Sequence, residues 1–276
     1  MSRSIVKRLS VALRGIAVSL ATAAGLMAAP TAAFAVCLPV AQSPARVIQA
    51  SLGPRTAQAD VAVRLTFVGH ASFLIESPSG VRAVTDYNGV HRPAVLPDIV
   101  TMNNAHSTHF TDNPDPRIAH VLRGWQEPGR DPVHDLTVRD MRVRNVTTNV
   151  RDWAGGTREH GNSIFVFEVG DICIAHLGHL HHELTEAHLD ILGRIDVLLV
   201  PVDGGFTMGQ EFIREVIRQI RPSLVVPMHW FGPSRLERFL TMIADEYPAS
   251  VNDGPTIVLS RATMPWRRTV VLPGPM

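Results

Sequence analysis

Cysteine, charge of one sign and internal repetition are what this chain has least of. Charged residues make up 18% of its 276 residues and balance to a net charge of +1. No basic stripe is available to track a phosphate backbone, so no nucleic-acid partner is expected. No block of like charges marks a disordered tail. No fixed period repeats, and no sustained heptad sets an oligomeric state, which stays open. Cysteine occurs twice, as Cys37 and Cys173. Cys173 sits inside an apolar run, where a buried, inert thiol is the expected state; a disulfide with Cys37 is the less favoured alternative. What the chain does have is hydrophobic residue, 45% of the total, enough for one large domain with a well-buried core.

The N-terminus reads separately. Arg3, Lys7 and Arg8 precede an apolar stretch that closes on Ala33-Phe34-Ala35. A basic start, a short apolar middle and an A-x-A end describe a secretory signal peptide over residues 1–35, with a periplasmic or secreted product. The alternative is a membrane-anchor helix. Gly15, Gly25 and Pro30 interrupt the segment, so cleavage is preferred and no stable anchor is expected afterwards. Residues 36–60, with Pro39, Pro44 and Pro54, read as a linker or N-terminal arm. The domain proper then covers 61–276.

From Val61 onward, short runs rich in Val, Leu and Phe alternate with turn residues. Strands are expected at 61–67, 72–75, 82–86, 98–102, 136–148 and 163–169, the last joined by a Gly170-Asp171 hairpin to 172–176. The Pro-rich stretch 110–135 is expected to be mostly loop. Later the rhythm changes. Helices are expected at 185–192, with Thr185 as N-cap, at 208–220, stopped by Pro222, and at 234–245; strands at 196–202, 224–228, 256–259 and 269–272 complete the set. Early antiparallel strands followed by strand–helix units imply two sheets with helices outside.

The thirteen histidines are not scattered. Asn103-Asn104-Ala105-His106-Ser107-Thr108-His109 follows one apolar run, His176-Leu177-Gly178-His179-Leu180-His181-His182 ends another, and His229 closes a third. Each group therefore falls at the C-terminal end of an expected strand, where α/β folds collect their chemistry. Neutral imidazole is the commonest metal ligand, so three such groups suggest one shared site.

Five stretches carry a resemblance: Phe67-Val68-Gly69-His70-Ala71-Ser72 with Thr85-Asp86, Gly161 to Glu168, Ile174 to Gly178, Asp196 to Val202, and Val226-Pro227-Met228-His229. In this order they resemble the metallo-β-lactamase superfamily, in its lactonase- and phosphodiesterase-like hydrolase branch, over about residues 61–262. The resemblance implies an α/β fold, the four-layer αββα sandwich, with a metal site at one edge between the sheets. It also implies a ligand motif H-x-H-x-D-H, and here the sequence departs from it. The matching positions read Asn104-Ala105-His106-Ser107-Thr108-His109, the third-motif histidine falls near Arg151, and the bridging aspartate falls on His179. His229 is kept.

A carboxylate-bridged pair of metals is therefore not expected. His106, His109, His179 and His229 instead suggest one divalent ion, zinc first, with iron or manganese as alternatives, or none at all. Asp203, at a strand end before Gly204-Gly205, is the candidate for proton transfer; the competing reading is a turn carboxylate capping backbone amides. His70 and Asp86 are expected to orient the ligands through hydrogen bonds. Asn104, Thr108, Arg151 and His182 line or support the pocket, and Trp230 with Phe231 is a candidate apolar wall, ordinary core packing being the alternative. His176 reads as a satisfied core residue, and His181 as solvent-exposed. The function implied is an exported hydrolase acting on a lactone, ester, amide or phosphodiester bond of a small molecule. The alternative is an inactive relative that binds a small molecule or protein in the same pocket.

Overall fold

Turns at Gly69-His70, Ser77 to Gly80 and Gly170-Asp171 cut the apolar runs into strands short enough to pair as hairpins. The computed structural model describes Cys37 and residues 62–274, except Asp131 and Trp153. The expected signal segment 1–35 and, Cys37 apart, the arm 36–60 lie outside the described residues.

The first half supplies β1 (Val63–Gly69), β2 (Ser72–Glu76), β3 (Arg82–Val84), β4 (Ile99–Met102) and β5 (His120–Arg123). β6 (Asp135–Val138), β7 (Met141–Arg151), β8 (Thr157–Val169) and β9 (Ile172–His176) follow. The second half adds α1 (Glu186–Leu192), β10 (Val197–Pro201), α2 (Gln210–Ile220), β11 (Leu224–Met228) and α3 (Pro233–Ile243). β12 (Ala249–Val251), β13 (Thr256–Leu259) and β14 (Thr269–Leu272) end the chain. They form a six-stranded sheet, β13-β1-β2-β3-β4-β5, and an eight-stranded sheet, β12-β14-β11-β10-β9-β8-β7-β6.

Two expectations shift. The strand read as 136–148 is a hairpin, β6 and β7, because Arg139 takes a left-handed φ of 50° and lets Val138 pair with Met141. β8 begins at Thr157 rather than Ser163, since its first four residues are exposed and carry no apolar alternation to read. Thr185 caps α1 as expected, accepting the His188 N–H while the His188 side chain accepts the Thr185 N–H.

Strand periodicity explains the layers. In β9 to β11 one set of side chains, Ile172, Ile174, Val197, Leu199, Leu224 and Val226, joins Leu65, Phe73 and Ile75 between the sheets. The alternate set, Cys173, Ala175, Leu198, Val200 and Val225, packs with Ile213, Val216 and Ile217 of α2 and Phe239 and Ile243 of α3. These strands are buried on both faces, hence their unbroken apolar sequence. The result is an αββα-type sandwich built on two sheets. Among the described residues its helices all pack with the second sheet's core. On the first sheet, Leu74, Val84 and Val100 pack with Tyr87 and Ile118 from irregular segments.

One expectation is overturned. Cys37 and Cys173 form a disulfide, with Cα atoms 5.9 Å apart. Cys173 is not an inert thiol: β9 turns its side chain into the helix-side layer, and Cys37 is buried beside it in that layer. The Arg194 N–H donates to the Cys37 carbonyl at 2.8 Å. A sequence separation of 136 residues hid a pairing that only the packing of the fold creates.

Candidate metal centre

Six strand ends converge at one edge of the sandwich. β1 delivers His70, β3 Asp86, β4 the segment 103–109, β9 His179, β10 Asp203 and β11 His229. The two sheets are tied there directly, since the His229 N–H donates to the His70 carbonyl at 2.9 Å. His70, Asp86 and His229 all have positive φ, at 52°, 43° and 57°. Left-handed backbone at non-glycine residues costs free energy, and it is retained where it aims a side chain. Gly178, at φ 62°, is required: a Cβ there would stand 2.5 Å from the Cβ of Asn103.

Two buried carboxylates orient two imidazoles. Asp86 Oδ2 is 2.5 Å from His109 Nδ1, and Asp203 Oδ1 is 3.1 Å from His229 Nδ1. With each Nδ1–H donated to a carboxylate, the Nε2 atoms carry lone pairs. Yet His109 Nε2 faces His229 Nε2 at 3.1 Å and His179 Nδ1 at 2.8 Å. Burial, reinforced by neighbouring imidazoles, lowers the pKa of His109 and of His179 far below the ordinary histidine value. A His179 Nδ1–H can donate to His109 Nε2, but with the Nδ1–H groups of His109 and His229 on carboxylates the lone pair of His229 Nε2 still faces that of His109 Nε2, which no hydrogen bond satisfies. A cation among the three nitrogens does, so the donor set fits a borderline divalent ion.

His70 adds a fourth nitrogen nearby. Its Nε2 is buried without a hydrogen-bond partner, and ligand atoms of His70, His109 and His229 lie within 4.8 Å of one another. Burial, then the neighbouring histidines, pushes its pKa down to about 3. The hydrogen-bonding support expected of His70 is thus replaced by a position among the converging rings. Asp86 stands behind His109, hydrogen-bonded to its Nδ1.

Other expected residues are placed differently. His106 stands at the mouth of the site rather than among the converging nitrogens: Nδ1 lies 3.0 Å from Thr108 Oγ1, and its ring stacks on His179 at 5.2 Å. Asp203 accepts from the amides of Gly205, Phe206 and Thr207 through Oδ2, and from the Thr207 hydroxyl through Oδ1. Burial opposes its ionisation, but the hydrogen bonds from His229 and Thr207 outweigh burial and hold the carboxyl below the usual range. A carboxylate so fully engaged is a poor proton acceptor. The geometry favours the turn-capping reading of Asp203, extended by its hold on His229.

Asn104 donates to the Gly161 carbonyl at 2.9 Å, fixing the loop that bears His106 and His109. Arg151 donates to the carbonyls of Gly205 and Thr207. Trp230 stacks on Phe67 at 5.7 Å and packs with the helix-side core. The apolar rim is formed by Phe206 and Phe231, 65% and 59% exposed with ring centroids 5.2 Å apart. Phe206 had no sequence signal beyond its place after Gly204-Gly205. His181 is half-buried, not exposed, and its Nδ1 accepts the Arg151 N–H at 2.8 Å. His182 is half-buried too, with its Nε2 unpartnered among the described residues. His176 is the satisfied core residue expected, bonded to the Ala71 carbonyl through Nε2 and to the Gly178 N–H through Nδ1.

Comparison with known proteins supplies the family. The beta-lactamase superfamily domain model matches residues 64–229. A UPF0173 metal-dependent hydrolase of Pyrococcus horikoshii is 26% identical over 192 residues, covering 61% of this chain and 84% of the relative. One from Salinibacter ruber is 26% identical over 211 residues, covering 66% of this chain and 91% of the relative. A metallo-beta-lactamase superfamily structure from Thermotoga maritima superposes with a TM-score of 0.55 at 29% identity, covering 78% of this chain and all, 100%, of that one.

Proposed function

Because this chain belongs to the beta-lactamase superfamily and turns three imidazoles onto one point, we propose that it is a metal-dependent hydrolase with a single divalent ion. The observation that carries the reading is the convergence of His109 Nε2, His229 Nε2 and His179 Nδ1, with carboxylates holding the far nitrogens of His109 and His229. Those three residues hold the ion, with His70 beside them. All four donors are nitrogen, which favours zinc or iron over magnesium or calcium. When bound, the ion supplies Lewis acidity to negative charge developing on a substrate oxygen.

The chain's own residues do the rest. Asp86 and Asp203 fix the tautomer and aim of His109 and His229. Phe206 and Phe231 shield the mouth from water. His106, whose pKa burial lowers, is neutral at pH 7 and is placed to pass a proton at the cleft side. The substrate is a small molecule with a hydrolysable lactone, ester, amide or phosphodiester bond.

Export is part of the proposal. A buried disulfide persists in an oxidising compartment and is rare in the cytosol, which supports the secretory reading of residues 1–35.

Elemental analysis of protein purified from metal-replete medium tests the centre. About one equivalent of zinc or iron is expected, and His229→Ala should lose it. A folded wild-type protein that takes up no metal would overturn the hydrolase reading and leave a binding pocket. His106→Gln should keep the metal while lowering turnover by about two orders of magnitude. Loss of metal in that variant would make His106 a ligand.

A further inference from the structure

Beside the imidazoles lies a cleft of ≈310 Å3 whose lining includes Arg151, Asp152, Arg158, His179 and Phe206. Arg151 and Arg158 come from adjacent strands, at the open end of the β7–β8 ladder where Arg151 pairs with Thr157 and Val150 with Arg158. Arg151 spends its guanidinium on the neutral carbonyls of Gly205 and Thr207, so its charge is not cancelled. Arg158 makes no ion pair among the described residues and is exposed. Asp152 is the one carboxylate of the lining; its Oδ1 accepts the amides of Ala154 and Gly156. Its arginines and its carboxylate therefore set two cations against one anion, next to a largely exposed aromatic ring. Such a wall attracts an anion and accepts an apolar surface at once.

We infer that this cleft binds molecules that join a carboxylate or phosphate to an apolar body, with Arg158 as the side chain that recognises the anion. Arg151 holds the loop that carries Phe206, and Phe206 meets the apolar part. Calling the ligand a substrate rests on the hydrolase reading above, but the binding preference does not.

Calorimetric titration with phenyl phosphate, phenylacetate and neutral phenylacetamide tests the inference without requiring turnover. At least one anion should bind about tenfold or more tightly than the amide, and added salt should narrow the gap. The tighter of the two anions tells phosphate from carboxylate. Arg158→Gln should remove the gap while leaving phenylacetamide binding unchanged, and Arg158→Lys should restore part of it. Equal affinity for all three probes, no measurable binding of either anion, or a gap that survives Arg158→Gln would each overturn the anion site. The two readings fail separately. Anion preference in a protein without metal or turnover sinks only the hydrolase. Equal hydrolysis of charged and neutral phenyl esters, with no binding gap, sinks only this inference.

Discussion

At the scale of single residues, the centre depends on carboxylates that touch no substrate. Asp86 is fully buried, and burial raises its pKa to about 6, against the opposing pull of His176 and the Asn103 amide. It nevertheless holds His109 Nδ1, so the tautomer that frees Nε2 depends on it. Asp86→Asn should keep the fold and weaken metal affinity by about 10–100-fold, read as the competition of a chelator for the ion. Unchanged affinity would show that His109 is oriented by packing alone. The histidines themselves were legible as strand-end clusters. Their roles were not, because direction is a backbone property: left-handed φ at His70 and His229 brings their rings together, while His106, three residues before His109, faces the cleft. Asp203 left two readings open for a related reason. A strand-end acid looks free in sequence, and only the folded turn at 204–207 shows its oxygens taken.

At the scale of elements, the second sheet is fastened to its helices by buried charge. Arg144 of β7 pairs with Glu168 of β8 through Nε at 2.7 Å and donates its other nitrogens to the carbonyls of Ile191 and Leu192 at the end of α1. α1 has no basic residue in its own last turn, so a neighbouring strand supplies the cap. Arg144→Met would strip Glu168 of that partner and leave two helix carbonyls bare. A loss of about 3–5 kcal/mol is expected from urea unfolding, less to the extent that Arg142, 3.3 Å from Glu168, compensates. The α2 to α3 junction behaves differently because its charges meet water. Arg218 and Arg214 bond Glu246, and hydrogen bonds from Arg218 first hold that carboxyl down at about 2, below its ordinary 4.5. A depressed carboxyl stabilises the fold above its unfolded value and loses that contribution as pH falls from about 4.5 toward about 2. Urea midpoints of Glu246→Gln should therefore fall less steeply than wild type across that window. Parallel acid curves would assign the acid sensitivity elsewhere.

For the molecule as a whole, the disulfide ties a distant cysteine into the helix-side core. It joins Cys37 to β9 across 136 residues, a long loop whose closure restricts the unfolded chain. Replacing both cysteines by alanine should cost about 2–5 kcal/mol, seen as a lower thermal midpoint that reducing agent no longer changes. A wild type indifferent to reductant would mean that the pair contributes nothing.

The sequence by itself determined most of the elements and their order: unbroken apolar runs and turn residues place β9 to β11, Thr185 places α1, and strand-end histidines place the chemistry, because these signals are local. Tertiary structure decided which distant groups meet. The Cys37–Cys173 bond, the cap that Arg144 lends to α1, the entry of His70 among the converging rings and the step of His106 out of them all follow from how two sheets close on each other. Contacts of that kind depend on strand register and backbone direction, which no neighbouring residue encodes.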